Sequence, residues 1–471
     1  MISRAAQLRA RLVTAAPVGG GLMLVGLAAY AVLALAGHTL TPRDYSAAAN
    51  MFLITAIVGP GVFAAVEQQT NHEVSGRLAA GLRIRPVLWA ILAVTAGLIA
   101  LITLVVLALT PVLVPKVFAG HLALVVATVL AVGGAAAAYL FRGVFGGQRR
   151  YRWYGISLAG EGLSRLVPCV LLAVLGWTNA DRFGFVFALG CGLAALVTLP
   201  GLALGRPGAR RRELGRPVHP AKDPDRVSLR GVGRLSGAIA LLAGASALTL
   251  MMINLGPVVL TSRLGTGHAD AELAASFVSL FLLARVPLFL FGPVQAFLLP
   301  ALTEAATRGD TAQVRAKVRV ALLAVAAVGL TGAAVGGLLG PWATTVFFAA
   351  PIQLPRVVAV GLGLGTVAMM ASLILQPALV ALRRNRSAML AWVLASVVFL
   401  GLLFTPEAVM SPLAAAVTAQ VVAPILVTGL MALSLRRALR AMDSGRLEPT
   451  AKVPPKGPEP QPTSATVTNS L

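Results

Sequence analysis

The feature that most constrains this chain is a series of long apolar runs separated by short hydrophilic gaps. The runs fall at roughly 14–37, 46–67, 86–110, 120–141, 154–176, 183–205, 234–262, 272–301, 317–340, 356–382, 388–404 and 412–434. Each is close to the ~20 residues an α-helix needs to cross a bilayer. Hydrophobic residues make up 58% of the 471 and charged residues 12%, whereas a soluble chain carries about 25% charged residues. The expected fold class is therefore an all-α integral membrane protein of twelve transmembrane helices. The net charge of +23 would point to nucleic acid in a soluble domain. Here the positive charges sit in the gaps between spans, where they set topology, so no nucleic-acid partner is expected. The first span contains the cleavage-like "ALAG" at 34–37. Its apolar stretch exceeds the ~7–15 residues of a signal peptide, which predicts an uncleaved helix.

Basic residues predict direction, because cytoplasmic loops are enriched in Lys and Arg. Alternate gaps are basic: the segment before the first run, 68–85, 142–153, 206–234, 302–319, 383–387 and the C-terminal segment. The opposite gaps hold only Arg43, Lys116, Arg182, Arg263 and Arg356 of the chain's 39 Lys+Arg. This places both ends in the cytoplasm, with 1–13 as a cytoplasmic N-terminus. All five tryptophans lie near predicted span ends, as in an interfacial aromatic belt. Residues 435–471 are rich in Pro, Ser and Thr without apolar periodicity and are expected to be disordered. The basic segment 206–233 is expected to be a linker facing the anionic inner leaflet.

The sequence repeats itself at a fixed interval. "RRYR" at 149–152 and "RRNR" at 383–386 lie 234 positions apart, as do "RIR" at 83–85 and "KVR" at 317–319. "GP" recurs at 59–60 and 292–293, one position short of that interval. The offsets predict two six-helix lobes, 14–205 and 234–434, joined as a parallel repeat. Transporters built this way hold substrate between the lobes and expose it to each side in turn. Gly59-Pro60 and Gly292-Pro293 would bend equivalent helices, since proline removes a backbone donor. They are candidate hinges, with ordinary membrane-helix proline as the other reading.

Two arginines fall inside spans. Arg165 and Arg285 are each predicted near mid-depth, where an arginine costs ~2.5–3.5 kcal/mol even on lenient insertion scales. Glu161 lies one helical turn before Arg165 and is a candidate structural pair or a coupling group. Arg285 has no acid in its own span, which marks it as a candidate cavity residue. A guanidinium matches phosphate oxygens in two-point contact, so an anionic, phosphate-bearing substrate is expected. Asn254 and Gln295 are candidate additional substrate contacts. Asn50, Gln376 and Gln420 are span residues expected to hydrogen-bond between helices. Glu67, Gln68 and Gln69 are expected at a solvated helix mouth.

No catalytic centre is evident. The five histidines are scattered, and Cys169 and Cys191 lie in apolar runs with no ligand spacing. "GLGLGT" at 361–366 lies within a span, where its glycines serve helix packing. No metal, cofactor or enzymatic activity is expected.

The segments "LTPRDYSAAANMFLITAIVGPGVFAAVEQQTNHEVSGR" at 40–77 and "LARVPLFLFGPVQAFLLPALTEAATRGD" at 283–310 resemble polysaccharide flippases of the multidrug/oligosaccharidyl-lipid/polysaccharide (MOP) superfamily, the MATE-like exporters. "LTPRDYS" is similar to the "LGPEEYG"-like turn before the second helix of those proteins. The resemblance implies two six-helix lobes forming a V, and a polyprenyl-(pyro)phosphate-linked oligosaccharide carried across the membrane. Arg165 and Arg285 would meet the pyrophosphate or anionic sugars. It also implies membrane lipids and glycan-synthesis machinery as partners, with a monomeric transporter. Lipid II flippases have a basic residue in the first span, absent here, which favours an exopolysaccharide or another cell-wall glycan precursor. Drug exporters carry an acid in the first helix, also absent from 14–37. A membrane glycosyltransferase or polymerase is a further alternative, but the outer gaps are short. A non-transporting scaffold would not need buried arginines.

Overall fold

The computed structural model describes residues 4–203, 229–288 and 302–444. Twelve helices among them are long and apolar enough to cross a membrane. They are α1 (Arg4–Thr39), α2 (Pro42–Ala79), α3 (Arg85–Val117), α4 (Leu122–Gly147), α5 (Tyr151–Val174) and α6 (Ala180–Ala203) in the first half. The second half has α7 (Leu229–Arg263), α8 (His268–Leu288), α9 (Thr311–Phe348), α10 (Arg356–Ala381), α11 (Asn385–Leu403) and α12 (Pro412–Asp443). All regular structure among the described residues is helical.

Several helices outrun their apolar runs. Hydropathy marks where lipid is, but hydrogen bonding carries a helix on into water. The polar end of α2 stays helical because Thr70, Asn71 and Val74 pack directly on Gly143, Gly146 and Gly147 of α4. Asp310 caps α9 by accepting from the Gln313 N–H at 2.8 Å, so the helix begins at Thr311, six residues before the predicted start of that span. Trp392 departs from the expected belt. It is 1% exposed, and its indole N–H donates to Gln376 Oε1 at 3.3 Å, so it is core. Trp89, Trp177 and Trp342 are exposed.

The two R-R-x-R stretches adopt the same turn. Arg149 and Arg383 both have φ of 57°, in the left-handed region. Arg150 N–H donates to Phe145 O and Arg149 N–H to Gly146 O, at 2.8 and 2.9 Å. Arg384 N–H donates to Leu379 O and Arg383 N–H to Val380 O, at 2.8 and 2.9 Å. Each is a Schellman closure of a helix end, with arginine where glycine is usual. The matched turns follow α4 and α10, the fourth helix of each half.

Pro60 leaves its mark on α2. Gly59–Phe63 forms a π-helical turn, the wider coil expected where a missing N–H interrupts the ladder. Gly292 and Pro293 lie outside the described residues. α7 bridges the halves: Leu235, Ile239 and Ala243 pack with Phe63, Val66 and Ile91 of the first half. Its far end sits among second-half helices, beside Gln420 of α12.

Candidate functional site

Among the described residues, the arginine-bearing turns after α2, α4 and α10 and the start of α9 fall in alternate gaps of the chain, and that end of the helices is here called the basic face. Hydrogen bonds tie the halves together toward the opposite face. Asn50 Nδ2 of α2 donates to Thr261 Oγ1 of α7 at 2.9 Å. The hydroxyls of Tyr45 (α2) and Ser279 (α8) lie 3.2 Å apart. Tyr30 of α1 donates its hydroxyl to Leu282 O of α8 at 3.0 Å.

Arg285 lies on this seam. It occupies a break in α8, where Arg285 N–H donates to Leu282 O and Leu288 N–H to Arg285 O, at 3.1 and 3.0 Å. Pro287 explains the break, since it lacks an N–H for Leu283 O and its ring crowds that carbonyl. Arg285 is 8% exposed. Its Nη2 donates to Gln420 Oε1 at 2.9 Å, and its Cζ lies 3.7 Å from the centre of the Phe281 ring. Its Nη1 is buried with no hydrogen-bond partner among the described residues. Gln420 is fixed in turn, donating to Met252 O of α7 at 3.2 Å. Gly365 of α10 brings α12 this close: a Cβ there would stand 2.0 Å from Gln420 O. Tyr30 and Gln420 each lie about 12–14 Å from the non-basic ends of their helices, near the middle of a ~30 Å hydrocarbon layer.

The other in-span arginine is held differently. Arg165 Nη1 pairs with Glu161 Oε1 at 2.8 Å, and Arg142 Nη2 pairs with Glu161 Oε2 at 2.5 Å. Arg142 Nε also donates to Ser157 Oγ at 3.0 Å. Arg165 Nη2 reaches Cys191 Sγ at 3.0 Å, and its Cζ lies 4.2 Å from the Phe187 ring centre. One carboxylate therefore serves two cations wholly inside the first half. Arg142 corrects the sequence reading, which placed it in the basic gap 142–153. It belongs to α4 and is 3% exposed. Hydropathy at a span edge cannot distinguish a lipid-flanking arginine from an inward one. Glu67 also departs from its expected solvated mouth, accepting from the Tyr154 hydroxyl at 2.5 Å.

The predicted substrate residues are thus not brought together. Arg285 is at the seam, while Arg165 is committed within the first half. Asn254 donates to Leu250 O of its own helix at 3.0 Å. Gln295 lies outside the described residues. Tyr30 and Gln420 stand at the seam site without having been singled out for it.

No family model matches the chain. Two uncharacterized proteins of Mycobacterium tuberculosis are each 27% identical to it. One alignment spans 390 residues, covering 81% of this chain and 83% of that protein. The other spans 424 residues, covering 86% and 91%. Among solved structures, an inward-facing multidrug resistance MATE family transporter of the MOP superfamily superposes with a TM-score of 0.66 at 13% identity, covering 90% of this chain and 96% of that one. The chain has the MATE transporter fold. The eukaryotic MATE transporter AtDTX14 superposes with a TM-score of 0.61 at 13% identity, over 93% of this chain and 99% of that one. Within this MATE-type fold, Arg285 lies on the junction of the two halves and the Arg142–Glu161–Arg165 cluster lies inside one of them.

Proposed function

We propose that this protein is a flippase that carries a phosphate-bearing, polyprenyl-linked glycan across the bacterial cytoplasmic membrane by alternating access, with its basic face and both termini in the cytoplasm. The observation that carries the reading is Arg285: a buried guanidinium on the seam, with one edge on Gln420 and Nη1 free. A guanidinium edge of this kind suits a phosphate oxygen. Seam hydrogen bonds from Asn50, Tyr45 and Tyr30 would open and close with each cycle, and the π turn at Gly59-Pro60 would supply flexibility in α2. Gly292-Pro293, outside the described residues, is proposed as the corresponding hinge of the second half.

The alternative is a cation-coupled multidrug exporter, which shares the fold. A cationic drug would meet the positive charge of Arg285, and no carboxylate is among the described partners of that residue. Thermal unfolding of the purified protein with a polyprenyl phosphate or a cationic dye separates the two. A rise in Tm with the polyprenyl phosphate, lost in Arg285→Ala, supports the flippase. A rise only with the dye overturns it.

A further inference from the structure

Away from the seam arginine, three helix starts converge on one imidazole at the non-basic face. His121 immediately precedes α4, Asp44 lies in the first turn of α2, and Asp181 lies in the first turn of α6. His121 Nε2 is 2.9 Å from Asp44 Oδ1, and His121 Nδ1 is 2.9 Å from Asp181 Oδ1. An ionised carboxylate only accepts hydrogen bonds, and a neutral imidazole carries a single N–H. Both contacts can be hydrogen bonds together only when the ring is protonated. The three side chains are 23%, 27% and 32% exposed, so water from that face reaches them.

The surrounding charges leave the bridge its own. Arg43 beside Asp44 and Lys116 at the end of α3 line a neighbouring cavity of about 170 Å³, together with Asp270 of α8. Arg182 of α6 is turned onto the Trp177 ring, at 5.2 Å. The bridge also shares a helix turn with the seam, for Tyr45 follows Asp44 directly and Asn50 lies on the same helix.

We propose that Asp44, His121 and Asp181 form a proton-binding site whose occupied form holds the non-basic mouth shut. The proposal rests on the alternating-access reading above. When the proton leaves to water, one ring nitrogen becomes a lone pair facing a carboxylate oxygen. That contact turns repulsive, and the bridge loses one arm. Release of Asp44 frees the first turn of α2 and with it the seam contacts of Tyr45 and Asn50. The pH at that face thereby biases which mouth is open.

The test uses the full chain in nanodiscs, with Cys169→Ala and Cys191→Ser removing the native thiols. Spin labels at Thr178 and Glu407 report the separation of the halves at the non-basic face by pulsed EPR. Between about pH 5.5 and about pH 8, the range across which histidines titrate, the long-distance population should rise several-fold. His121→Gln should give one distribution at both pH values. Asp44→Ala, which removes that arm of the bridge, should give the high-pH distribution throughout. An unchanged distribution in the parent protein, or a full pH response in His121→Gln, overturns the proposal. Arg285→Ala should retain the response, so failure of the phosphate reading and failure of the proton site are distinguishable.

Discussion

The two buried arginine sites are opposites. In the first half, Arg142 and Arg165 share Glu161, and the cluster is enclosed by α4, α5 and α6. On the seam, Arg285 has an amide, an aromatic face and one free nitrogen. Magnitudes separate their roles. A hydrogen bond to a charged group contributes about 1.5–3 kcal/mol, and a desolvated cation–π contact contributes up to about 2 kcal/mol. Together these offset the ~2.5–3.5 kcal/mol insertion cost of a lone arginine. Arg285 can therefore stay charged without a carboxylate and keep an edge open. The first-half cluster differs in that its two cations also share one acid, whose loss leaves both without a counter-charge. A paired buried charge holds a fold together, whereas an unpaired one at a moving boundary is available to a ligand.

The largest expected effect comes from breaking the paired site. Glu161→Gln leaves two buried cations uncompensated, and losing one partner of a buried pair costs about 3–5 kcal/mol. The variant should fail to give a monodisperse peak in size-exclusion chromatography. The triple variant Arg142→Leu, Glu161→Leu, Arg165→Leu should recover folding, because apolar replacement of a whole buried cluster is near neutral. A well-folded Glu161→Gln that loses only transport would make Glu161 a coupling group.

The next effect is functional. Arg285→Ala should unfold within a few degrees of the parent and yet abolish glycan export in a complementation assay. Arg285→Lys should restore only part of it, since an ammonium lacks the two-point fork. Wild-type export by Arg285→Ala removes the distinction drawn between the two sites.

How much of this was legible beforehand follows from physics that is local in sequence. Twelve spans could be read because lipid forces each helix to satisfy its own backbone. The duplicated turn could be read because basic residues recur at a fixed interval. Arg142 could not, since its partner Glu161 lies on the next helix and no periodicity links them. Gln420 does bond between helices as expected, but its pairing with Arg285 shows only when α8 and α12 pack, and Tyr30 was hidden until α1 packs on α8. Trp392 looked interfacial by position, and only tertiary structure shows its N–H satisfied by Gln376.

Packing that positions the seam site should respond more mildly. Gly365→Ala pushes a methyl against Gln420 O, and overpacking of this kind costs about 1–3 kcal/mol. The Tm should fall, and export should fall with it because Gln420 no longer aligns with Arg285. Gly336→Ala is the control. It lies on α9 with no atom near a new Cβ, so it should leave export unchanged and raise the Tm slightly, because alanine is the better helix former.

The smallest effect examines where the halves agree instead of where they differ. Arg149 and Arg383 share a φ of 57° and the same Schellman hydrogen bonds. A left-handed conformation costs an L-residue about 1–2 kcal/mol, and glycine escapes that cost. Replacing either arginine removes the same charge whichever residue goes in, so Gly and Ala variants compared with each other isolate the backbone. Arg149→Gly should be more stable than Arg149→Ala by about 1 kcal/mol, and Arg383→Gly should exceed Arg383→Ala by the same margin. At Arg437, exposed within α12, the order should reverse by about 1 kcal/mol, because glycine weakens a helix interior. Equal margins at 149 and 383 mean that the halves share a backbone and differ in charge placement. Unequal margins mean that the turns have diverged as well, and the contrast between Arg165 and Arg285 then extends from charge to backbone.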